Sequence, residues 1–181
     1  MNRIRIVFSG SGGQGVITAS IILAEAAVLY EGLNAVQTQS YGPEARGGAT
    51  RSDVIIADKD IYFPKVNQPN LLICLTQEAY NKFSPSIRPG GLLLLDRFYV
   101  QPARKVDARQ VSLDMYKSVM DRIGKPIVFN ICMLGALIGL MGMIQKESIM
   151  KVLETKIAPD FLDMNRIALD LGLELIKEVQ T

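Results

Sequence analysis

The sequence predicts a single α/β domain, a sandwich built on a mostly parallel sheet with a helical C-terminal third packed against it. Three observations predict it. Short β-branched or leucine-rich runs recur between residues 3 and 96, separated by turns and by stretches of helical periodicity. Two of those runs, Asn70–Thr76 (NLLICLT) and Gly91–Asp96 (GLLLLD), are apolar without alternation, the mark of strands covered on both faces. From Leu113 onward the strand pattern stops and helical periodicity takes over. With 181 residues, 49% of them apolar, the chain suits one domain over residues 1–181 with a sizeable core.

Taken in order, Arg3–Ser9 is a β-branched run and reads as a buried strand. A glycine-rich turn follows it. Gln14–Glu31 is periodic at the helical spacing, with Val16, Ile17, Ser20, Ile21, Ala24, Ala27 and Val28 on one broad face, and Gly32 ends it. Asn34–Gln39 is a second strand, Ser40–Ala49 a polar loop, and Arg51–Ala57 a third strand closed by the Asp58–Asp60 turn. The runs at 70–76 and 91–96 add two central strands around a short helix at Gln77–Phe83. Leu113–Ile123 reads as a helix stopped by Gly124.

The next stretch, Ile127–Ile144, holds no charge and is nearly all apolar. It is at the short limit for a membrane span, which needs about 20 residues. Asn130 and the glycines at 135, 139 and 142 favour a helix buried within the protein, with Gly135-x-x-x-Gly139 permitting close helix packing. Helices at Glu147–Lys156 and Asp160–Val179 complete the chain. In the last, Asp160 is expected to cap, and the apolar stripe runs through Phe161, Met164, Ile167, Ala168, Leu171, Leu175 and Val179.

The composition narrows the chemistry. There is no histidine, so the commonest general base at neutral pH is missing. The two cysteines, Cys74 and Cys132, stand far apart in apolar runs. They form no CxxC motif and cannot alone supply the four thiolates of an iron–sulfur cluster. They read as small buried hydrophobes in a protein of the reducing cytoplasm. The net charge of +2, from 20 basic and 18 acidic residues without long runs, gives no footprint for nucleic acid.

The turn after the first strand reads Gly10-Ser11-Gly12-Gly13-Gln14-Gly15, a GxGxxG spacing between strand and helix. This is the Rossmann-like context in which a helix N-terminus receives a phosphate. Dinucleotide folds also need an acid at the end of the second strand to hold the ribose. That strand ends here in Thr38-Gln39-Ser40. The glycines therefore serve NAD(P), a phosphate of another ligand, a neighbouring chain, or packing alone. Gly12 is expected where the backbone approaches closely or takes positive φ, so that Gly12→Val should break the turn. The loop after the second strand carries Tyr41, Glu44, Arg46 and Gly47. If the first two strands run parallel, this loop shares an edge with the glycine turn, and Arg46 could pair with a phosphate or a carboxylate.

Together these segments resemble a known family. GSGGQGV (Gly10–Val16), QSYGPEARGG (Gln39–Gly48), SDVIIAD, IYFPKV, NLLICLTQEAY and PGGLLLLD are similar to the gamma subunit of 2-oxoacid:ferredoxin oxidoreductases. The helix of NICMLGALIGL, with Asn130, Leu134 and Gly135, extends the likeness over nearly the whole chain. The resemblance implies a multi-subunit enzyme that converts a 2-oxoacid and coenzyme A to an acyl-CoA and CO2 and reduces ferredoxin. It implies that alpha and beta subunits hold thiamine diphosphate with Mg2+, and that a ferredoxin-like subunit holds [4Fe–4S] clusters. This chain would then be a supporting domain close to CoA, carrying no catalytic residue and no metal. Gly10, Gly12, Gly13, Gln14, Gly15, Tyr41, Glu44, Arg46 and Gly47 would be its contacts to CoA or to other subunits. Within the family the motifs lean to the 2-oxoglutarate branch, with pyruvate, 2-oxoisovalerate and indolepyruvate open. The alternative is a stand-alone NAD(P)-binding dehydrogenase-like domain.

Overall fold

The computed structural model describes residues 3–40, 49–102 and 105–180. Six strands form one sheet: β1 (Ile4–Gly10), β2 (Asn34–Ser40), β3 (Thr50–Ala57), β4 (Leu71–Cys74), β5 (Gly91–Asp96) and β6 (Ala108–Leu113). Their order across the sheet is β2-β3-β1-β4-β5-β6. From β1 to β6 the neighbours are parallel, while β3 runs antiparallel to both β1 and β2. The expected mostly parallel α/β sandwich is present. The hairpin β2–β3 places one reversed strand inside it, where a simple doubly wound sheet would set β2 directly beside β1.

Alternation along each strand builds two cores. Ile6, Phe8, Val54, Ile56, Ile73 and Leu94 face α1 (Val16–Tyr30), α3 (Met115–Arg122), α4 (Phe129–Met141), α5 (Lys146–Lys156) and α6 (Pro159–Gln180). Val7, Ile55, Leu72, Cys74, Leu93 and Leu95 face α2 (Gln77–Phe83) and the connections around it. All four residues of β4 are buried, as its unbroken apolar run requires. The strand predicted at 70–76 stops at Cys74, because Thr76 caps α2 by accepting from the Ala79 N–H at 3.2 Å.

Three details depart from expectation. β6 is a strand that apolar patterning does not disclose: Ala-Arg-Gln-Val-Ser-Leu lies at the sheet edge, with Arg109 exposed and only Val111 and Leu113 buried. The apolar stretch 127–144 is broken by a 3₁₀ turn at Pro126–Val128 and by Gly142, whose φ of 64° ends α4 after 13 residues. No helix among the described residues is long and apolar enough to cross a membrane. In α6 the helix starts at Pro159, so Asp160 stands in the first turn. The buried residues of α6 are Asn165, Ala168, Leu169, Leu171, Gly172 and Ile176; of the expected stripe Ala168 and Leu171 are buried and Met164 and Leu175 half-buried, while Phe161, Ile167 and Val179 are exposed.

The α6 rotation follows from its crossing with α4. A methyl group at Gly172 would strike the Cys132 carbonyl and come within 2.6 Å of the Ala136 nitrogen; one at Gly135 would strike the Leu169 carbonyl. Only hydrogen at both positions lets the two backbones touch. A methyl group at Gly139 would meet only side chains, at 3.3 Å from Leu173 and 3.4 Å from Ile176. The crossing therefore depends on one glycine from each helix rather than on the pair spaced by four in α4.

Candidate functional site at the carboxyl edge of the sheet

β1 ends at Gly10, and Gly10 pairs in register with Thr50 at the start of β3. Ser40, the last residue of β2, pairs with Arg51. Both ends of the 41–48 connection thus lie on the edge that carries the glycine turn. Tyr41, Glu44, Arg46 and Gly47 fall outside the described residues.

Within the turn the glycines divide by role. Gly13 and Gly15 adopt φ of 92° and 71°, a region that L residues rarely enter. Gly15 is the N-cap of α1, with no side-chain cap and no acid in the first turn. A Cβ at Gly15 would lie 2.5 Å from Asn130 Nδ2, and one at Gly10 would lie 2.6 Å from Gln14 Oε1. Gly12 has neither constraint: its φ is not positive, and nothing approaches its Cβ position within 4 Å. The expectation that Gly12 is the tight point is corrected in favour of Gly10 and Gly15.

Gln14 ties the turn to the sheet. Its Oε1 accepts from the Ser11 N–H at 2.8 Å, and its Nε2 donates to the Leu75 carbonyl at 3.0 Å. Below the turn, the Ser9 hydroxyl donates to the Ile73 carbonyl at 2.6 Å and lies 3.4 Å from Cys74 Sγ. Burial pushes the Cys74 thiol up to about 12, and that of Cys132 likewise to about 12. The two lie in different cores, on opposite faces of the sheet, so they do not share a site. Among the described residues no three Cys, Asp or Glu side chains gather as metal ligands.

A groove of about 540 Å³ opens between the turn, the start of α4 and the start of α6, lined by Gly13, Gly15, Lys125, Asn130, Phe161 and Asn165 among others. Its walls are largely apolar, with Ile127 and Phe161 exposed at the rim. Lys156 reaches it while paired with Glu25 at 2.8 Å. Asn130 is 8% exposed. Its Nδ2 makes a long 3.4 Å bond to the Gly15 carbonyl, and its Oδ1 is buried without a partner. A buried unpaired oxygen is uncommon in native proteins. The single polar residue in an apolar run was the sequence signal for Asn130. Its meeting with Gly15, 115 positions away, needed the fold.

Next along the edge, Asp96 at the end of β5 is buried. Its two oxygens accept from the Phe98 N–H at 2.9 Å and the Tyr116 N–H at 2.8 Å. Burial raises its carboxyl above the usual range, against the favourable pull of those amides. It thereby secures the first turn of α3, whose own N-cap residue, Asp114, pairs with Arg97 at 2.7 Å instead. Asp96 is a structural tie at the candidate edge.

A pyruvate ferredoxin/flavodoxin oxidoreductase family model matches residues 5–175. The chain belongs to that family. The 2-oxoglutarate synthase subunit KorC of Methanocaldococcus jannaschii is 44% identical over 98% of this chain and 96% of its own length. The pyruvate synthase subunit PorC of Methanothermobacter marburgensis is 29% identical over 96% of this chain and 98% of its own. Among solved structures, the keto/oxoacid ferredoxin oxidoreductase gamma subunit of Geobacter sulfurreducens superposes with a TM-score of 0.87 at 40% identity, covering 97% of this chain and 99% of that one. The resemblance read from the two loop motifs is thus borne out over the full length, and so is the fold.

Proposed function

We propose that this chain is the gamma subunit of a multi-subunit 2-oxoacid:ferredoxin oxidoreductase whose 2-oxoacid is 2-oxoglutarate. The observation that carries the reading is the full-length match to a 2-oxoglutarate synthase subunit at 44%, against 29% for the pyruvate counterpart. In this reading alpha and beta subunits hold thiamine diphosphate and Mg2+, and a ferredoxin-like subunit passes electrons through [4Fe–4S] clusters to ferredoxin. Those groups supply decarboxylation and electron transfer. The setting is the cytoplasm.

This chain's part is to bind and to position. Its α1 N-terminus offers uncapped N–H groups without a nearby acid, which suits a phosphate of CoA or a carboxylate of another subunit. Gly10, Gly12, Gly13, Gly15 and the loop residues Tyr41, Glu44, Arg46 and Gly47 are the proposed contacts. Gln14 acts behind them by fixing the turn. The unpaired Asn130 Oδ1 supports a contact in the adjoining groove.

Native purification on a tagged copy tests the reading. The expected result is co-purification of thiamine-binding and cluster-binding chains, with no binding of NAD(H) or NADP(H) by the isolated chain. Recovery of the chain alone, together with micromolar NAD affinity, would establish the dehydrogenase-like alternative instead. In the assembled enzyme, Arg46→Ala should raise the KM for CoA or weaken assembly without moving the melting temperature of this chain.

A further inference from the structure

At the amino-terminal edge of the sheet, opposite the glycine turn, Arg5, Lys65 and Arg88 line an open hollow of about 840 Å³ together with Phe63, Asn67 and Gln68. Arg3 adjoins it and donates from Nη2 to the Phe63 carbonyl at 2.5 Å, while its Nε is buried without a partner. None of these four cations is ion-paired to a carboxylate among the described residues. Of the nearby acids, Asp60 accepts from the Tyr62 hydroxyl at 3.2 Å, Asp58 has a partner of its own, and Asp107 accepts through its carbonyl from the Gly90 N–H at 2.8 Å. Four positive charges without an ion-pair partner among the described residues are notable on a chain whose net charge is only +2.

The platform is also preformed. The Arg5 N–H donates to Asn70 Oδ1 at 3.0 Å, the Asn70 N–H to the Arg5 carbonyl at 2.8 Å, and the Arg88 N–H to the Pro69 carbonyl at 3.1 Å. Beside it Tyr62 and Phe63 are 88% and 62% exposed. Exposed aromatic rings next to arginines match the composition of protein interface centres. A lone small anion on so open a surface would keep most of its water and would gain nothing from the rings.

We infer that this basic, aromatic-flanked face docks an acidic surface of another subunit of the same enzyme. The inference rests on the subunit reading above and extends it. β1 has seven residues, which at about 3.3 Å each sets the two edges roughly 20 Å apart. The chain then bridges two neighbours, one at the glycine turn and one at this hollow.

The test is the double variant Lys65→Glu/Arg88→Glu. Both residues are exposed and outside regular elements, so the melting temperature should match wild type. Association of this chain with the remaining purified subunits is followed by biolayer interferometry at low and high salt. The expected result is association at least about tenfold slower for the variant at low salt, with the gap closing at high salt. Equal rates and equal salt dependence for the two proteins would overturn the inference. So would unchanged assembly with loss of inorganic pyrophosphate binding, or unchanged assembly with a raised KM for ferredoxin. If wild type itself fails to associate, the subunit reading falls and this one with it. If wild type associates and the variant does so equally, only the docking surface is refuted.

Discussion

At the turn into α1, Gly13 and Gly15 supply backbone angles that a side chain would strain, and Gly15 also leaves room for Asn130. At the α4–α6 crossing, Gly135 and Gly172 sit in ordinary helical backbone and supply only a missing Cβ, so that main chain meets main chain. The first region is a local conformation held by Gln14 and by contact with a distant helix. The second is a tertiary contact with no freedom to relax, because carbonyls and amides of a regular helix cannot move aside. Each region also contains a glycine that the spacing pattern includes and at which a Cβ would meet no backbone: Gly12 in the turn, Gly139 in the helix. Spacing therefore finds the region, and only geometry finds the residue.

The largest effect should come from Gly172→Val. Its side chain would occupy the position of the Cys132 carbonyl, and forced overpacking of a core costs about 3 kcal/mol or more when backbone must shift. We expect little soluble protein, or a melting temperature far below wild type. A variant with wild-type stability would mean that the helices do not cross at this point. Gly15→Val comes next. Positive φ and the clash with Asn130 together should cost about 1–3 kcal/mol, read as a lower midpoint in urea with the slope unchanged.

The two thiols report separately on the two regions. Cys74 lies under the turn beside Ser9, and Cys132 is the residue that Gly172 abuts. Both are buried and held near 12, so a disulfide reagent at pH 8 should label neither in the native protein. Folding raises their pKa above the unfolded value of about 8.5. Their contribution to stability is therefore complete below that value and is lost as pH rises from it towards 12. Replacing both by alanine should flatten the alkaline limb of the stability curve, and an unchanged limb would show that the thiols are not the source. The smallest effect belongs to Gly12→Val, expected within about 0.5 kcal/mol of wild type, since the site is open and its φ is not positive. A loss as large as that of Gly15→Val would restore Gly12 as the tight point of the turn.

The strands β1, β3, β4 and β5 were legible because each carries a β-branched or leucine run long enough to declare burial. β6 was not, because an edge strand with Arg109 exposed and Gln110 bonded to the Tyr80 hydroxyl needs few apolar residues. The reversed direction of β3 follows from the β2–β3 pairing, which no local pattern encodes. The α6 stripe holds at Ala168 and Leu171 but not at Phe161, Ile167 and Val179, because Gly172 sets the contact with α4, whereas amphipathic reading weights large side chains. At the candidate edge the glycine turn was visible from spacing. The groove was not, since it joins Gly15, Lys125, Asn130 and Asn165 from three separate parts of the chain.

Reconstitution by omission tests the place of this chain in the enzyme. Purified thiamine-binding and cluster-binding subunits are assayed for ferredoxin reduction with 2-oxoglutarate and CoA, with and without this chain, and again with pyruvate in place of 2-oxoglutarate. For a gamma subunit of a 2-oxoglutarate enzyme, activity depends on adding this chain, CoA is required, and 2-oxoglutarate is turned over well ahead of pyruvate. Full activity without the chain would contradict its place in the enzyme, and a preference for pyruvate would contradict the assigned 2-oxoacid.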